Sequence, residues 1–212
     1  MLPLRSRILL AAAAILMAGM FVFPIWSVAL SAPQYPEGLA MDIRINTITG
    51  RTPNDLGNIN NLNHYIGMKR IEPDTIRELR LMPYVVAALA GLALLAAATG
   101  RRSLAWVFAG CLAVFAVAGL ADFWWWTWDY GHNLDVENAI IRVPGMSYQP
   151  PLIGTKQLLN FTATSWPAAG GLFAFAAAGL TGLAIWFART DALRQRHAAA
   201  AVAAVTGAER VA

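Results

Sequence analysis

Few residues of this chain can do chemistry, and four stand out by type and place: His64, Met68, His132 and Met146. They are two of its three histidines and two of its seven methionines, and all lie in the polar stretches of an otherwise apolar sequence. Imidazole and thioether are the donors that soft Cu(I) accepts. His64 and Met68 stand four apart, a spacing that puts both on one face if their segment is helical. The plainer alternative is that His64 bonds among the surrounding asparagines while Met68 and Met146 pack as ordinary apolar side chains. No HxxxH or CxxC pattern strengthens the metal reading. The single cysteine, Cys111, lies in an apolar run, so neither a disulfide nor a cysteine-pair metal site can form within one chain.

Two acids, Asp122 and Asp129, flank a tryptophan cluster at Trp124, Trp125, Trp126 and Trp128. An acid beside an interface is usually solvated or paired with a base; its functional alternative is a way in for a proton or cation. Met17 and Met20, three apart, can extend a thioether path into the membrane or simply pack. There is no GxSxG, Walker loop, dinucleotide fingerprint or HExxH, and no pair of histidines on one helix to ligate haem. The expectation is that this chain is not an enzyme.

The elements that must position these residues are membrane helices. Hydrophobic residues make up 58% of the chain and charged ones 13%, against about 25% charged in an ordinary soluble domain. The formal charge of +4 is scattered, with no basic run to follow a phosphate backbone, so nucleic acid is not a partner. A spanning helix needs roughly 20 mostly apolar residues. Residues 8–30, 82–99, 103–124 and 168–188 meet that need, with no internal charge before Asp122. The expected fold is an all-α membrane protein, a four-helix transmembrane bundle with a small folded cap from two long outer loops. Its parts are the N-terminus and first span (1–30), outer loop 1 (31–81), a hairpin of the second and third spans (82–124), outer loop 2 (125–167), the fourth span (168–188) and a tail (189–212).

Basic residues orient the bundle. Arg5 and Arg7, Arg101 and Arg102, and Arg189, Arg194 and Arg196 fall on one side if there are four crossings, and that side is then cytoplasmic. The expected location is the bacterial inner membrane, multi-pass, N-in and C-in, with the long loops periplasmic. Trp26 and the cluster from Phe123 to Trp128 read as an aromatic belt at the outer interface. A competing possibility treats the start as a cleaved signal peptide, with Ser27, Val28 and Ala29 as its small-residue site, leaving three spans.

Within loop 1, residues 41–48 alternate like a short strand. Asn54–Lys69 places Leu56, Ile59, Leu62 and Ile66 on one helix face. Asp74 reads as the N-cap of a helix leading into the second span. Asn54, Asn58, Asn60, Asn61 and Asn63 are poor helix formers, and their density implies side-chain hydrogen bonds. Loop 2 carries turn signals at Tyr130-Gly131, Pro144-Gly145 and Pro150-Pro151, with apolar pieces between them that need burial, so it is a folded cap and packs against loop 1.

The segments APQYPEGL (Ala32 to Leu39), NDLGNINNLNHYIGM (Asn54 to Met68), DYGHNLD (Asp129 to Asp135) and PGMSYQPPLIGTKQLLNF (Pro144 to Phe161) resemble a family of small four-span membrane proteins. That family is encoded near the genes for nitrous oxide reductase and its maturation factors, among them a copper chaperone lipoprotein and an ABC-type machinery. The likeness covers residues 20–175. It implies a non-enzymatic accessory part in maturation or copper supply of this denitrification enzyme in the periplasm, as a metal chaperone or as a dock for one. It raises His64, Met68, His132 and Met146 as contacts for Cu(I). Two other classes fit the residues: a structural or docking subunit of a membrane electron-transfer complex that binds through its tryptophan rim, and a quinol-interacting subunit drawing on Asp122 and Trp124–Trp128.

Overall fold

The computed structural model describes residues 1–209; Arg210, Val211 and Ala212, the end of the expected tail, lie outside the described residues. The all-α expectation is overturned. The chain folds as a mixed αβ protein, in which a five-stranded antiparallel sheet sits at one pole of four long helices.

The first departure comes inside the expected first span. Helix α1 runs only from Leu4 to Gly19, and after a turn the chain becomes strand β1, Trp26–Ala32. Pro24 between them has no N–H to continue the helical ladder. The residues beyond it find sheet partners on both sides: β1 pairs with β2 (Tyr35–Ile43) and with β5 (Phe161–Pro167). Ser27, Val28 and Ala29 thus lie within the central strand. Short strands β3 (Ile48–Gly50) and β4 (Gly154–Leu158) complete the order β3-β2-β1-β5-β4. Because β1 and β2 come from the first half of the chain and β4 and β5 from the second, the two expected loops are one domain.

Between β3 and the second long helix lies α2, Asp55–Tyr65, followed by a single 3-10 turn at Pro73–Thr75. The expected cap at Asp74 belongs to that turn, and α3, Arg77–Thr99, begins beyond it. Gly100 ends α3 in the left-handed conformation at φ 63°, which a glycine adopts without strain. Helix α4, Arg102–His132, continues past the expected end of the third span. At about 1.5 Å per residue its 31 residues rise roughly 46 Å, well beyond a hydrocarbon core of about 30 Å, so its last turns belong to the cap. Helix α5, Ala169–Glu209, likewise runs on through most of the expected tail.

Three of these helices, α3, α4 and the stretch Ala169–Ala200 of α5, are long and apolar enough to cross a membrane. Helix α1, at 16 residues, is shorter; its Leu10, Ala13, Ala14 and Met17 are buried, and the helix packs against α5 and α3. Arg5, Arg7, Arg101 and Arg102 lie at the pole away from the sheet, while Arg44, Arg51, Lys69, Arg70, Arg142 and Lys156 belong to the cap. Arg7 donates to the carbonyls of Ala97 and Ala98 at the end of α3 (2.6 and 2.8 Å). Arg5 pairs with Asp191 on α5 and lies 4.2 Å over the Phe187 ring. Arg102 donates to the Met1 carbonyl at 3.0 Å.

Two cores follow. One fills the helices around Leu10, Met17, Val86, Ala93 and Phe108. The other lies between the inner sheet face (Trp26, Val28, Leu39, Met41), the α2 face bearing Ile59, and the last turns of α4 at Phe123, Trp126 and Tyr130. The tryptophan cluster therefore divides by helical period. Trp126 faces the cap core, whereas Trp124 and Trp125 stand exposed. Trp26, expected in the interfacial belt, is a buried core residue at 6% exposure.

Candidate functional site

The cap is held by local devices that the asparagines and glycines supply. Asp55, buried at the start of α2, accepts from the backbone N–H of Ala40 (3.1 Å) and of Thr52 (3.2 Å) and from the Thr52 hydroxyl. These bonds, the Thr52 hydroxyl foremost, hold its carboxyl below the usual carboxylate range. Asn60 clamps Ile71 from both directions, its Nδ2 donating to the carbonyl (3.1 Å) and its Oδ1 accepting from the N–H (2.7 Å). Asn63 donates to the Lys69 carbonyl at 3.2 Å. The asparagine cluster is thus a rail along which residues 68–71 are laid. Lys69 then pairs with Asp129 on α4 at 2.6 Å, a surface pair that fixes position more than it adds stability.

Loop 2 is sewn to this frame by backbone. Asp135 N–H donates to the Gly67 carbonyl (2.7 Å), Ile141 N–H to Tyr65 (2.8 Å), and Tyr148 N–H to Gly131 (2.9 Å). Gly67, at φ 77°, sits so close to the Asp135 carbonyl that a Cβ would approach it to 2.6 Å.

The four candidate donors are placed by these devices in different surroundings. α2 ends at Tyr65, so the helical spacing that would align His64 with Met68 does not reach Met68. His64 is exposed and stands near Asp135, whose carboxyl is held below its ordinary value chiefly by the Asn138 side chain and in small part by His64. Met68, half-buried, lines an apolar cavity in the cap core. His132 and Met146 both line a second, more open pocket formed by Ile66 and parts of the segment 132–148. Ile66, Ile141 and Tyr148 belong to both walls and separate the two spaces.

His132 is oriented. Its ring stacks on Trp128 (centroids 4.8 Å apart, planes at 16°), and Trp128 stacks on Trp125 at 5.3 Å. Its Nδ1 lies 3.0 Å from the Trp128 carbonyl. A carbonyl only accepts, so Nδ1 is the donor in this contact, and in the neutral ring that tautomer places the lone pair on Nε2. Among the described residues no three His, Cys, Asp or Glu side chains cluster as a metal site. Of the four candidates, His132 and Met146 line one pocket, with His64 and Met68 outside its lining.

The larger cavity was not legible in the sequence. It encloses about 410 Å³ between the inner sheet face, α2 and the end of α4, within the usual range of small-molecule sites. The turns of both hairpins, at Gln34–Tyr35 and Leu159–Asn160, border it. Tyr148 lines it at 2% exposure, and its hydroxyl is the buried side-chain polar atom without a hydrogen-bond partner among the described residues. Burial pushes that phenol above its ordinary value, so it stays a neutral O–H near neutral pH. Nothing in the spacing of PGMSYQPP singled Tyr148 out, because its burial depends on Gly131 and Ile66, which are distant in sequence.

The chain matches no protein-family model, and no curated protein aligns with it significantly.

Proposed function

We infer that this chain is a membrane-anchored accessory protein, without catalytic machinery of its own, that acts on the outer face of the bacterial inner membrane in the maturation or copper supply of periplasmic nitrous oxide reductase. The observation that carries the reading is the cap. The segments bearing the histidines and methionines join across one sheet into a single domain at one pole of the helices. Helices α3, α4 and α5 supply three spans; α1, enclosed between α3 and α5, makes the fourth crossing. Four crossings leave Arg5, Arg7, Arg101, Arg102 and Arg189 at the pole opposite the cap, as the positive-inside tendency favours. The cap then faces the oxidising compartment, where histidine and methionine serve better than a thiol.

Copper enters this reading as cargo. His132 Nε2 and the Met146 thioether, on one wall, form a sparse set suited to brief holding of Cu(I). The resemblance supplies the enzyme that receives it. In a host encoding this chain beside the reductase, deletion is expected to leave the purified reductase short of copper. The wild-type chain restores it, and a His132→Ala, Met146→Ala variant does not. A fully metallated reductase in the deletion strain would sink the reading. The exposed Trp124 and Trp125 favour a second reading, a docking subunit of a membrane electron-transfer complex. It predicts full copper but slowed electron delivery in the same strain.

A further inference from the structure

The cap cavity has a composition that selects for a particular chemistry. Among the described residues its wall is mostly aliphatic and aromatic, with side chains such as Leu30, Ile59, Leu62, Trp126 and Phe161; Gln34, Asn63, Thr127 and Asn160 add neutral polar groups, and no charged side chain contributes to it. A carboxylate, phosphate or ammonium drawn into such a space would lose its hydration with no counter-charge to replace it. Close-packed interiors keep few spaces larger than one water molecule, so a walled volume of about 410 Å³ is a built feature of the fold. Against this apolar surround stands one polar group with nothing to bond: the Tyr148 hydroxyl, 2% exposed and without a partner. Buried hydroxyls are nearly always hydrogen-bonded, and each exception asks for its partner. A neutral phenol is a donor that a carbonyl oxygen satisfies. Flat rings also suit the wall, since Trp126 and Tyr130 present stacked aromatic faces with centroids 4.1 Å apart.

We propose that this cavity binds an uncharged, largely apolar ring compound bearing a carbonyl oxygen, a quinone-like molecule, with Tyr148 donating the hydrogen bond that orients it. The site is independent of the copper reading, since it uses neither His132 nor Met146. The two hairpin turns, at Gln34–Tyr35 and Leu159–Asn160, border the space. Discrimination works by the wall's lack of charge against acids and by the unpartnered Tyr148 hydroxyl against plain hydrocarbons.

The test uses the full chain purified in detergent and three probes of one shape: dimethylnaphthoquinone, dimethylnaphthalene and naphthoate. The quinone carries methyl groups at the positions where a thiol would add, which keeps Cys111 out of the measurement. Titration calorimetry with empty micelles subtracted is expected to show the quinone binding about tenfold tighter than the hydrocarbon, the worth of one hydrogen bond, and naphthoate weakest of all. Tyr148→Phe, which keeps the ring and the packing, should bring the quinone down to the hydrocarbon's affinity. Leu62→Trp, placing a larger side chain from α2 into the space, should abolish binding of both. Its thermal unfolding reports whether the variant is folded, and if it is not, the Tyr148→Phe result alone decides. No binding of the quinone by folded wild-type protein, equal binding by Tyr148→Phe, or naphthoate binding as tightly as the quinone would each overturn the proposal.

Discussion

Trp26→Ala is expected to destabilise the cap by about 3–5 kcal/mol, the usual cost of emptying an aromatic position in a packed core. Trp26 opens the central strand, opposite Ile43 on one side and Pro167 on the other. Its ring meets Phe123 of α4 edge-on at 5.4 Å, which ties the sheet to the helix that carries His132. Its indole N–H donates to the Ser165 hydroxyl (2.8 Å), and that hydroxyl donates in turn to the Leu152 carbonyl (3.0 Å). One residue therefore connects β1, β5, loop 2 and α4. Trp26→Phe keeps most of the apolar area and gives up the N–H bond, so its loss should be smaller, by roughly 1 kcal/mol for the bond plus some packing. Thermal unfolding in detergent, with protease resistance of residues 133–153 as a local readout, separates this from the belt reading of the sequence. An interfacial tryptophan exposed to lipid headgroups would give a change near zero.

Gly131→Ala should also destabilise, against the intrinsic trend. Within a helix, alanine is favoured over glycine by about 1 kcal/mol, and a glycine free of tertiary contact would show that gain. Gly131 is not free. A Cβ there would lie 2.4 Å from both the N and the Cα of Gln149, and these are backbone atoms that cannot rotate away. The Gly131 carbonyl also holds Tyr148 N–H at 2.9 Å. The variant must open the seam between α4 and loop 2, at a net cost of about 1–3 kcal/mol or more, as for overpacked sites. Gly119 on the same helix has nothing within 4 Å of the Cβ it would gain, so Gly119→Ala is the matched control and should not destabilise. Similar melting temperatures for the two variants would contradict the close approach at Gly131.

What the sequence made legible follows from the period of its apolar residues. The helical face of Leu56, Ile59 and Leu62 and the long apolar runs of α3, α4 and α5 come through, because each is set by local pattern. Apart from the alternation at residues 41–48, which catches the end of β2, the strands were hidden. Residues 8–30 form one long, mostly apolar run, and periodicity alone does not separate a short strand inside such a run from a helix. Pro24 was the only local sign of the break. At β4 and β5 alternation is weak, and the pairing of β5 with β1 is fixed by contacts more than a hundred residues away in sequence.

For the four candidate donors, the sequence shows the residue types and not their surroundings. His132 and Met146 do come to one wall, yet 13 residues of irregular chain and the anchor at Tyr148 decide that. His64 and Met68 are parted by Gly67, whose left-handed turn ends α2 before the spacing argument applies. The asparagines were correctly marked as hydrogen-bonding residues, and Asn60 and Asn63 show what they bond: the backbone of the segment that follows.

The central claim is that the αβ cap stands outside the inner membrane while the arginine-rich pole stands inside. Single cysteines settle it most directly. In a Cys111→Ser background, Asn61→Cys marks the exposed face of α2 and Ser103→Cys marks the start of α4 at the opposite pole. Spheroplasts treated with a membrane-impermeant maleimide are predicted to label Asn61→Cys at once and Ser103→Cys only after the membrane is disrupted. The reverse pattern, or protection of Asn61→Cys until disruption, would contradict the account.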